Sequence, residues 1–372
     1  MAVGADSHDS SPVRYTRDLD RWRCGRETVV DNTHHASAFG HAHPGGLLHR
    51  GAALRFSKPP LSYEEQLSLL ETRGLHLQDR AKALGCLGHL NYYRLRAYWL
   101  GMESSKGPDG DHGFIQGASF DTALALYVFD RKLRLLVMDA IERVEVSVRT
   151  RWAHHLALKY GAHAYLDASL FKDPVLHGRL MAGLREEVAR SQETFIEHYL
   201  RTYDDPPLPP LWSACEVMSF GQLSRWVGIL KYRADRQAIA SGYGLDERVF
   251  LSFLHHLTTV RNLCAHHARL WNRRFTITMQ LPRSQAGAAF PALNPAAERN
   301  LYNTLAMLGL FLRTVSPGSS WAQRVRALIL ATPGVAPAAM GFPMGWESQA
   351  LWLPGAATPS DPAPSSEGPC PP

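Results

Sequence analysis

The sequence predicts an all-α fold between two flexible tails, and three observations predict it. Apolar residues recur at three- and four-residue spacing between the tails, which is the period of an amphipathic helix. Helix-capping residues stand where several of these segments begin. The only candidate for extended structure is residues 275–278, which is too short to build a sheet.

The composition of both ends predicts disorder. The N-terminal tail is rich in Ser, Asp, His, Gly and Arg, and the C-terminal tail is rich in Pro, Gly, Ala and Ser. Five histidines between His34 and His49 can capture a metal ion, but without a fixed scaffold we favour a plain disordered tail. Near the other end, Trp346, Leu351 and Trp352 can pack as a short hook. The predicted segments are a disordered tail at 1–55, an N-terminal helical segment at 56–118, the main helical domain at 119–332 and a Pro/Gly-rich tail at 333–372.

The first predicted helices precede residue 162. Ser62 and Glu65 have the spacing of a capping box, and Gly74 is the stop for the helix that they open. A second helix is predicted for residues 79–98. A helical pattern then runs from Asp121 to Tyr160, and because forty residues exceed the usual helix length we expect a kink or break inside it.

The remaining elements are shorter. Asp173-Pro174 opens a helix toward Arg190, and a further pattern continues to about Tyr203. Four prolines between 206 and 210 then force an extended connection. The helices predicted after them cover about 211–218, 222–232, a segment capped by Asp246, a long helix from Asn294-Pro295 to about Thr314, and 321–330.

Composition sets broad limits on function. The 372 residues are 45% hydrophobic, the formal net charge is +6 and the sequence pI is about 9.1, which permits nucleic-acid binding without requiring it. Five scattered cysteines without a C-x-x-C pair fit neither a disulfide framework nor a zinc finger. Because no secretory signal and no long apolar run is visible, we expect a soluble cytoplasmic protein without membrane contact.

The most informative stretch is Arg261-Asn262-Leu263-Cys264-Ala265-His266-His267. It brings an arginine, an amide and two histidines within two helical turns. From Arg248 to Ala297 the chain contains six arginines and four histidines but no Asp or Glu. A site built from cations and imidazoles suits a substrate that carries its own negative charge, and phosphodiesters are the obvious candidates.

Helical geometry separates the guanidinium of Arg261 from the imidazole of His266. Apolar residues from Phe250 to Cys264 form a stripe, and Arg261 lies at its edge. His266 is turned from Arg261 by about 140° in a straight helix, so either the helix distorts or a second copy completes the site. The structural alternative is a buried arginine that caps carbonyls beside packed histidines.

Several segments together resemble a known family. Arg-Asn-x-x-Ala-His-His-x-Arg-Leu-Trp-Asn-Arg, at 261–273, resembles the signature of abortive-infection (Abi) proteins of the AbiD/AbiF type. The opening segment from Lys58, the Tyr-Tyr-Arg-Leu element after Asn91 and the helix around Phe129-Asp-Arg-Lys-Leu-Arg are also similar to that family. So are Leu208-Pro-Pro-Leu-Trp and Ser219-Phe-Gly-Gln-Leu. The resemblance covers about residues 58–274.

The resemblance implies a HEPN-like helical bundle. Many HEPN proteins are metal-independent ribonucleases marked by Arg-x(4–6)-His, which Arg261 matches with either His266 or His267. Such enzymes usually assemble the site from two copies of the motif, so the resemblance implies a homodimer. Arg149 and His154 also have the spacing but lack the residues that follow the motif, which is typical of a chance match.

The resemblance also implies a reaction, in which the ribose 2′-hydroxyl attacks the adjacent phosphorus and leaves a 2′,3′-cyclic phosphate and a 5′-hydroxyl. His266 has the acid–base chemistry for the proton transfers, Arg261 can stabilise the transition-state charge, and Asn262 can orient His266 or hold the ribose. The lack of nearby carboxylates argues against a two-metal nuclease, so no metal or cofactor is expected. The predicted RNA-binding residues are Tyr93, Arg94, Arg96, Arg269, Arg273 and Arg274.

The expected function is therefore an antiphage toxin that cleaves RNA and is silenced until infection. A bound noncoding RNA is one candidate for the silencing agent. Two other classes remain open. One is a non-catalytic RNA-binding or scaffolding protein, which a gel shift beside a cleavage assay distinguishes. The other is a partner of a nucleotidyltransferase, since the chain has no Gly-Ser with spaced aspartates to act as that enzyme itself.

Overall fold

A single long helix organises the fold. The computed structural model describes residues 59–106, 112–282 and 293–353, so the predicted N-terminal tail and residues 354–372 lie outside the described residues. Helix α4, Phe120–Tyr160, is 41 residues long and spans about 61 Å at 1.5 Å per residue. Ser119 caps its first turn by accepting from the amide of Thr122, and it ends at Gly161, whose φ is 98°.

The break that was the second alternative to a kink in this segment is not found, because α4 runs without interruption. Isolated helices of this length are not favoured by propensity alone, but tertiary packing can stabilise them. Here α4 is covered along its length by other helices and buries fifteen residues against them.

Three helices precede α4 and eight follow it in the described residues. They are α1 (Tyr63–Thr72), α2 (Arg80–His89), α3 (Tyr92–Trp99), α5 (Pro174–Arg190), α6 (Thr194–Thr202), α7 (Leu211–Ala214), α8 (Phe220–Gly228), α9 (Arg233–Ser241), α10 (Glu247–Ala265), α11 (Leu301–Val315) and α12 (Trp321–Leu330). Helices α3, α7, α9, α10, α11 and α12 pack directly on α4. The all-α prediction is confirmed.

A small antiparallel hairpin was not predicted. Its strands are β1 (Glu103–Lys106) and β2 (His112–Phe114), with Glu103 opposite Phe114. The predicted extended segment at 275–278 forms no strand. Neither β1 nor β2 has the alternation of apolar and polar residues that marks a strand in a sequence.

Two predicted helix boundaries shift for local reasons. The segment predicted as one helix from 79 to 98 is split, because the side chain of Asn91 accepts from the amide of Tyr93 and starts α3 anew. The last long helix begins at Leu301 rather than at Asn294, since Pro295–Ala297 forms a separate 3₁₀ turn. The capping roles predicted for Ser62, Asp173 and Asp246 are confirmed.

The segment after α12 packs on the body of the protein. Trp346, Leu351 and Trp352 are buried, as the hook alternative expects. A methyl carbon of Leu351 lies so close to Gly309 that a Cβ at this position would be 2.9 Å away. Buried side chains between Met340 and Trp352 therefore contribute to the core.

A buried histidine joins α10 to α11. His256 donates from Nδ1 to the carbonyl oxygen of Ile277 at 2.7 Å, so Nε2 is left to accept from the hydroxyl of Thr304 at 2.8 Å. Burial lowers the pKa of His256 to about 4. The neutral tautomer therefore holds both the loop after α10 and helix α11 in place.

The free energy of unfolding should consequently fall with acidification. An unfolded histidine titrates near pH 6.5, whereas the folded one resists protonation down to about pH 4, so the unfolded state binds the extra proton between these values. We expect a loss of about 3 kcal/mol between pH 6.5 and pH 4, measured by urea unfolding. His256→Gln should remove most of this pH dependence, whereas the exposed neighbour variant His255→Gln should retain it. An unchanged pH profile in His256→Gln would contradict the assignment.

Candidate active site

Helix α10 presents the motif at its C-terminal end. Its carboxylate cap is Asp246, which accepts from the amide of Arg248. The predicted apolar stripe is buried, from Phe250 at one end to Cys264 at the other. This anchoring leaves the last turn, from Arg261 onward, at the edge of the core.

The helix ends inside the motif. Ala265 is its last residue and His266 is the C-cap. The amide of Ala268 donates to the carbonyl of Leu263 at 2.8 Å, and the amide of His267 donates to the carbonyl of Cys264 at 3.0 Å. This pair of hydrogen bonds is a Schellman motif. The straight helix assumed in the 140° argument therefore does not extend to His266.

His267 occupies the position where this motif normally requires glycine. Its φ is 56°, in the left-handed region, which costs an L-residue with a Cβ roughly 1–2 kcal/mol. The guanidinium of Arg94 donates to the carbonyl oxygen of His267 at 2.8 Å and helps to hold this conformation. Strained backbone that is held by its surroundings is frequent at functional sites.

Arg261 faces helix α4. It lines an open groove of about 520 Å³ against α4. The other lining residues are Leu135, Met138, Asp139, Ile141, Glu142, Glu145, Val146 and Arg149. The only hydrogen bond of the Arg261 side chain among the described residues is a long 3.5 Å contact with Oδ1 of Asn262. Its guanidinium has no carboxylate within 4.0 Å in that part of the chain.

The groove corrects the expectation of a site without carboxylates. Residues 248–297 contain no acid, but α4 brings three acids to the opposite wall. Asp139 pairs with Arg143 and Glu145 pairs with Arg149, whereas Glu142 is exposed. Sequence spacing within one helix does not reveal which residues of another helix face it.

The two imidazoles are accessible. His266 and His267 are both exposed, and neither side chain makes a hydrogen bond within the described ranges. Neither histidine lines the groove that contains Arg261. Asn262 is exposed as well, and its backbone carbonyl accepts from the amide of His266 at 2.9 Å. Arg261 thus lines the α4 groove, whereas the exposed imidazoles lie outside it.

A buried carboxylate that the sequence analysis did not single out holds the loop after the motif. Asp130 of α4 is 0% exposed. Its Oδ1 accepts from the amides of Leu270 (3.0 Å) and Trp271 (2.7 Å). Its Oδ2 accepts from Tyr98 at 2.7 Å and from Arg134. Four donors satisfy one carboxylate, and together they join α3, α4 and the loop.

Aromatic and cationic side chains pack around this carboxylate. Trp271 stacks on Tyr98 with ring centroids 6.0 Å apart, and the guanidinium of Arg269 lies over the Trp271 ring at 5.8 Å. Arg269 donates to the carbonyl of Ala97 at 2.9 Å, and burial lowers its pKa. Burial beside Asp130 raises the pKa of Tyr98, which therefore stays a donor at neutral pH. Arg269 serves the packing of the loop.

Some of the other predicted RNA-binding residues are exposed, and the rest form hydrogen bonds within the protein. Tyr93 is 74% exposed, and both Arg94 and Arg274 are exposed. Arg96 forms two hydrogen bonds with the carboxylate of Glu103, and Arg273 donates to the carbonyl of Arg269 at 3.3 Å. Tyr93 and Arg94 lie beside the motif because Arg94 contacts His267.

Two other groups near the motif have structural roles. Burial raises the pKa of the Cys264 thiol to about 12, so it is not a thiolate nucleophile at neutral pH. Arg149, the arginine of the second Arg-x4-His match, donates to the carbonyls of Cys215, Glu216 and Met218 and pairs with Glu145. Its guanidinium holds the segment between α7 and α8.

Asn272 has a left-handed backbone conformation and a buried side-chain oxygen. Its φ is 49°, and its buried Oδ1 has no hydrogen-bond partner, so it does not cap the motif helix through that oxygen. In the ranges 59–106, 112–282 and 293–353, no three His, Cys, Asp or Glu side chains cluster as a metal site requires. No helix in those ranges has the length and apolar character needed to cross a bilayer.

One protein family matches this chain. The sequence model of the family described as Abi-like protein matches residues 85–272, about half of the chain, and this span contains α3, Asp130 and the motif through Asn272. No curated protein and no solved structure shows a significant match.

Proposed function

This chain belongs to the Abi-like protein family, which supports a role in abortive infection, and from that premise we propose that it is a metal-independent endoribonuclease. The observation that carries the proposal is the end of α10. An arginine without a carboxylate partner among the described residues and two accessible imidazoles stand within seven residues at the end of α10. Arg94 contacts His267, and Asp130 holds the loop that follows. An accessible imidazole suits general acid–base catalysis, and a guanidinium without a carboxylate partner suits the charge of a phosphoryl group.

In the proposed reaction, one imidazole removes the proton from the ribose 2′-hydroxyl, and its oxygen attacks the adjacent phosphorus. The bond from phosphorus to the 5′-oxygen breaks, and that oxygen takes a proton from water. The products are a 2′,3′-cyclic phosphate and a 5′-hydroxyl. Arg261 stabilises the charge on the phosphoryl oxygens in the transition state. Exposed Tyr93, Arg94 and Arg274 bind the flanking RNA.

A second protomer completes the site in this proposal. Arg261 lines the α4 groove and His266 does not, so in this proposal an Arg261 from one copy and a His266 from the other meet at a two-fold interface. The α4 wall of the Arg261 groove offers an apolar surface for that contact, since Leu135 is 60% and Val146 is 53% exposed. The protein acts in the cytoplasm as a toxin that is silent until infection.

The alternative function is RNA binding without cleavage. Tyr93, Arg94 and Arg274 would serve that role equally well, and the acidic wall beside Arg261 favours it, because carboxylates repel an incoming phosphate. Gel shifts that show RNA binding by a protein with no cleavage activity would support this alternative.

The test of the proposed function uses purified full-length protein, structured RNA and excess EDTA. We expect cleavage with new 5′-hydroxyl ends, which polynucleotide kinase can label directly. A heterodimer in which one chain carries Arg261→Ala and the other carries His266→Ala can be isolated through two different tags. It should have one intact composite site and about half the wild-type activity. Homodimers of either variant are the controls. An inactive heterodimer would contradict the composite site, and absence of cleavage by wild type would contradict the enzyme.

A further inference from the structure

A second groove lies near the C-terminal end of α4, on the side opposite Arg261. Its volume is about 410 Å³. The lining residues are Arg151, His154, His155, Leu158 and Lys159 of α4 with Ala238 and Ile239 of α9. At 100° per residue, Arg151 and Leu158 are about 120–160° around α4 from Leu135 and Val146. This cationic groove is therefore separate from the Arg261 groove.

The cationic groove has a net positive charge that comes from Arg151, because Lys159 is paired with Asp235. From Val146 to Tyr160 the helix contains no Asp or Glu. Asp235, a buried carboxylate of α9, accepts from Lys159 at 2.6 Å, from His155 at 2.9 Å and from Tyr160 at 2.8 Å. These three donors leave Asp235 saturated, and it fixes two of the basic side chains along the groove. His154 is exposed.

Arg151 is placed by a close backbone contact. Its guanidinium carbon lies 5.1 Å from the ring centroid of Tyr243, and a Cβ at Gly242 would stand 1.9 Å from its Nη1. Only glycine at 242 allows the guanidinium to lie in this position. Arg151 has no carboxylate within 4.0 Å among the described residues, so its charge is available to a ligand.

Helix stability does not account for this cluster. Cations stabilise the last turn of a helix through its dipole, and Lys159 is in that turn. Arg151 and His154 lie further back, beyond the range of that effect. The basic residues instead extend over about 12 Å of helix, from 151 to 159, which is longer than one phosphate group and matches a polymer with repeated phosphates.

We infer that this cationic groove binds the phosphate backbone of RNA at a site distinct from the site of cleavage. The groove is open, and exposed Leu158 offers an apolar surface in its centre, since 76% of this residue is accessible. Open cationic grooves of this type track a backbone without reading bases. The inference rests on the proposed function only for the nature of the ligand, and its test measures binding rather than cleavage.

The test is fluorescence anisotropy with a labelled single-stranded RNA in Arg261→Ala protein, which prevents cleavage, at several salt concentrations. Leu158→Glu places a carboxylate among the cations and should weaken RNA binding about tenfold at low salt. Gly242→Ala displaces Arg151 without changing net charge, and should lower the magnitude of the salt slope by about 0.7, the value for one phosphate contact on a single strand. Circular dichroism verifies the fold of each variant.

The matched control is Leu330→Glu, which adds the same charge at an exposed leucine of α12. It should bind RNA as the parent does. Equal weakening in the control, or parental binding by both groove variants, would overturn the inference. Unlabelled polyglutamate of equal charge is the competitor, and displacement as strong as by unlabelled RNA would assign the groove to acidic peptides instead. Because wild-type cleavage is measured separately, loss of the proposed enzyme activity leaves this result interpretable.

Discussion

Alanine at Arg261 or at His266 is expected to reduce RNA cleavage by roughly 10²–10⁴-fold, with little change in stability. The Arg261 side chain makes only a 3.5 Å contact with Asn262, and the His266 side chain has no hydrogen bond in the described ranges. Removing either side chain should therefore change the free energy of unfolding by no more than about 0.5 kcal/mol, the usual range for surface substitutions. Single-turnover rates and urea unfolding of the same preparations measure both effects. Near-wild-type cleavage by both variants would refute the mechanism.

His267→Gly is the matched variant for the choice between the two histidines. Glycine tolerates the left-handed backbone at this position, so the substitution should stabilise the protein by about 1 kcal/mol. If His266 is the catalytic group, His267→Gly keeps most of the cleavage activity. A variant that is more stable but inactive would instead assign the reaction to His267.

Substitution of Asp130 should have the largest effect on stability. Asp130→Ala leaves the buried Arg134 without its partner and removes the acceptor of Tyr98 and of two loop amides. Breaking a buried ion pair from one side costs about 3–5 kcal/mol. Urea unfolding followed by circular dichroism measures this loss.

Asp139→Ala is the control on the same helix. Asp139 is half-exposed and pairs with Arg143 and Arg324, so its loss should cost no more than about 1 kcal/mol. If Asp130→Ala were as stable as Asp139→Ala, the carboxylate would not be what holds the loop after the motif.

Local chemistry explains which parts of the fold were predictable. Capping by Ser62, Asp173 and Asp246 and the end of α4 at Gly161 depend on neighbouring residues, and each is found as expected. The continuity of α4 was not predictable, because it depends on helices distant in sequence that cover it. The burial of Trp352 likewise depends on partners such as Tyr302, whose ring lies 6.3 Å away.

The candidate site divides in the same way. The motif follows from sequence, and the match to the Abi-like family confirms the resemblance. The end of α10 inside the motif was not predicted. The role of Asp130 does not follow, since its partners Leu270 and Trp271 are 140 residues away along the chain. The assignment to HEPN proteins, the RNA substrate and the homodimer stay predictions.

The unbroken course of α4 has a consequence for insertions and deletions. One residue added between Arg149 and Arg151 would turn all later residues by about 100° and advance them by 1.5 Å. The cationic groove would rotate away from α9 although its composition stayed intact. Changes of seven residues, close to two full turns, nearly preserve the angular phase. Length variation in this helix should therefore be tolerated in heptad steps. Single-residue changes should instead alter the angle around α4 between the Arg261 groove and the cationic groove.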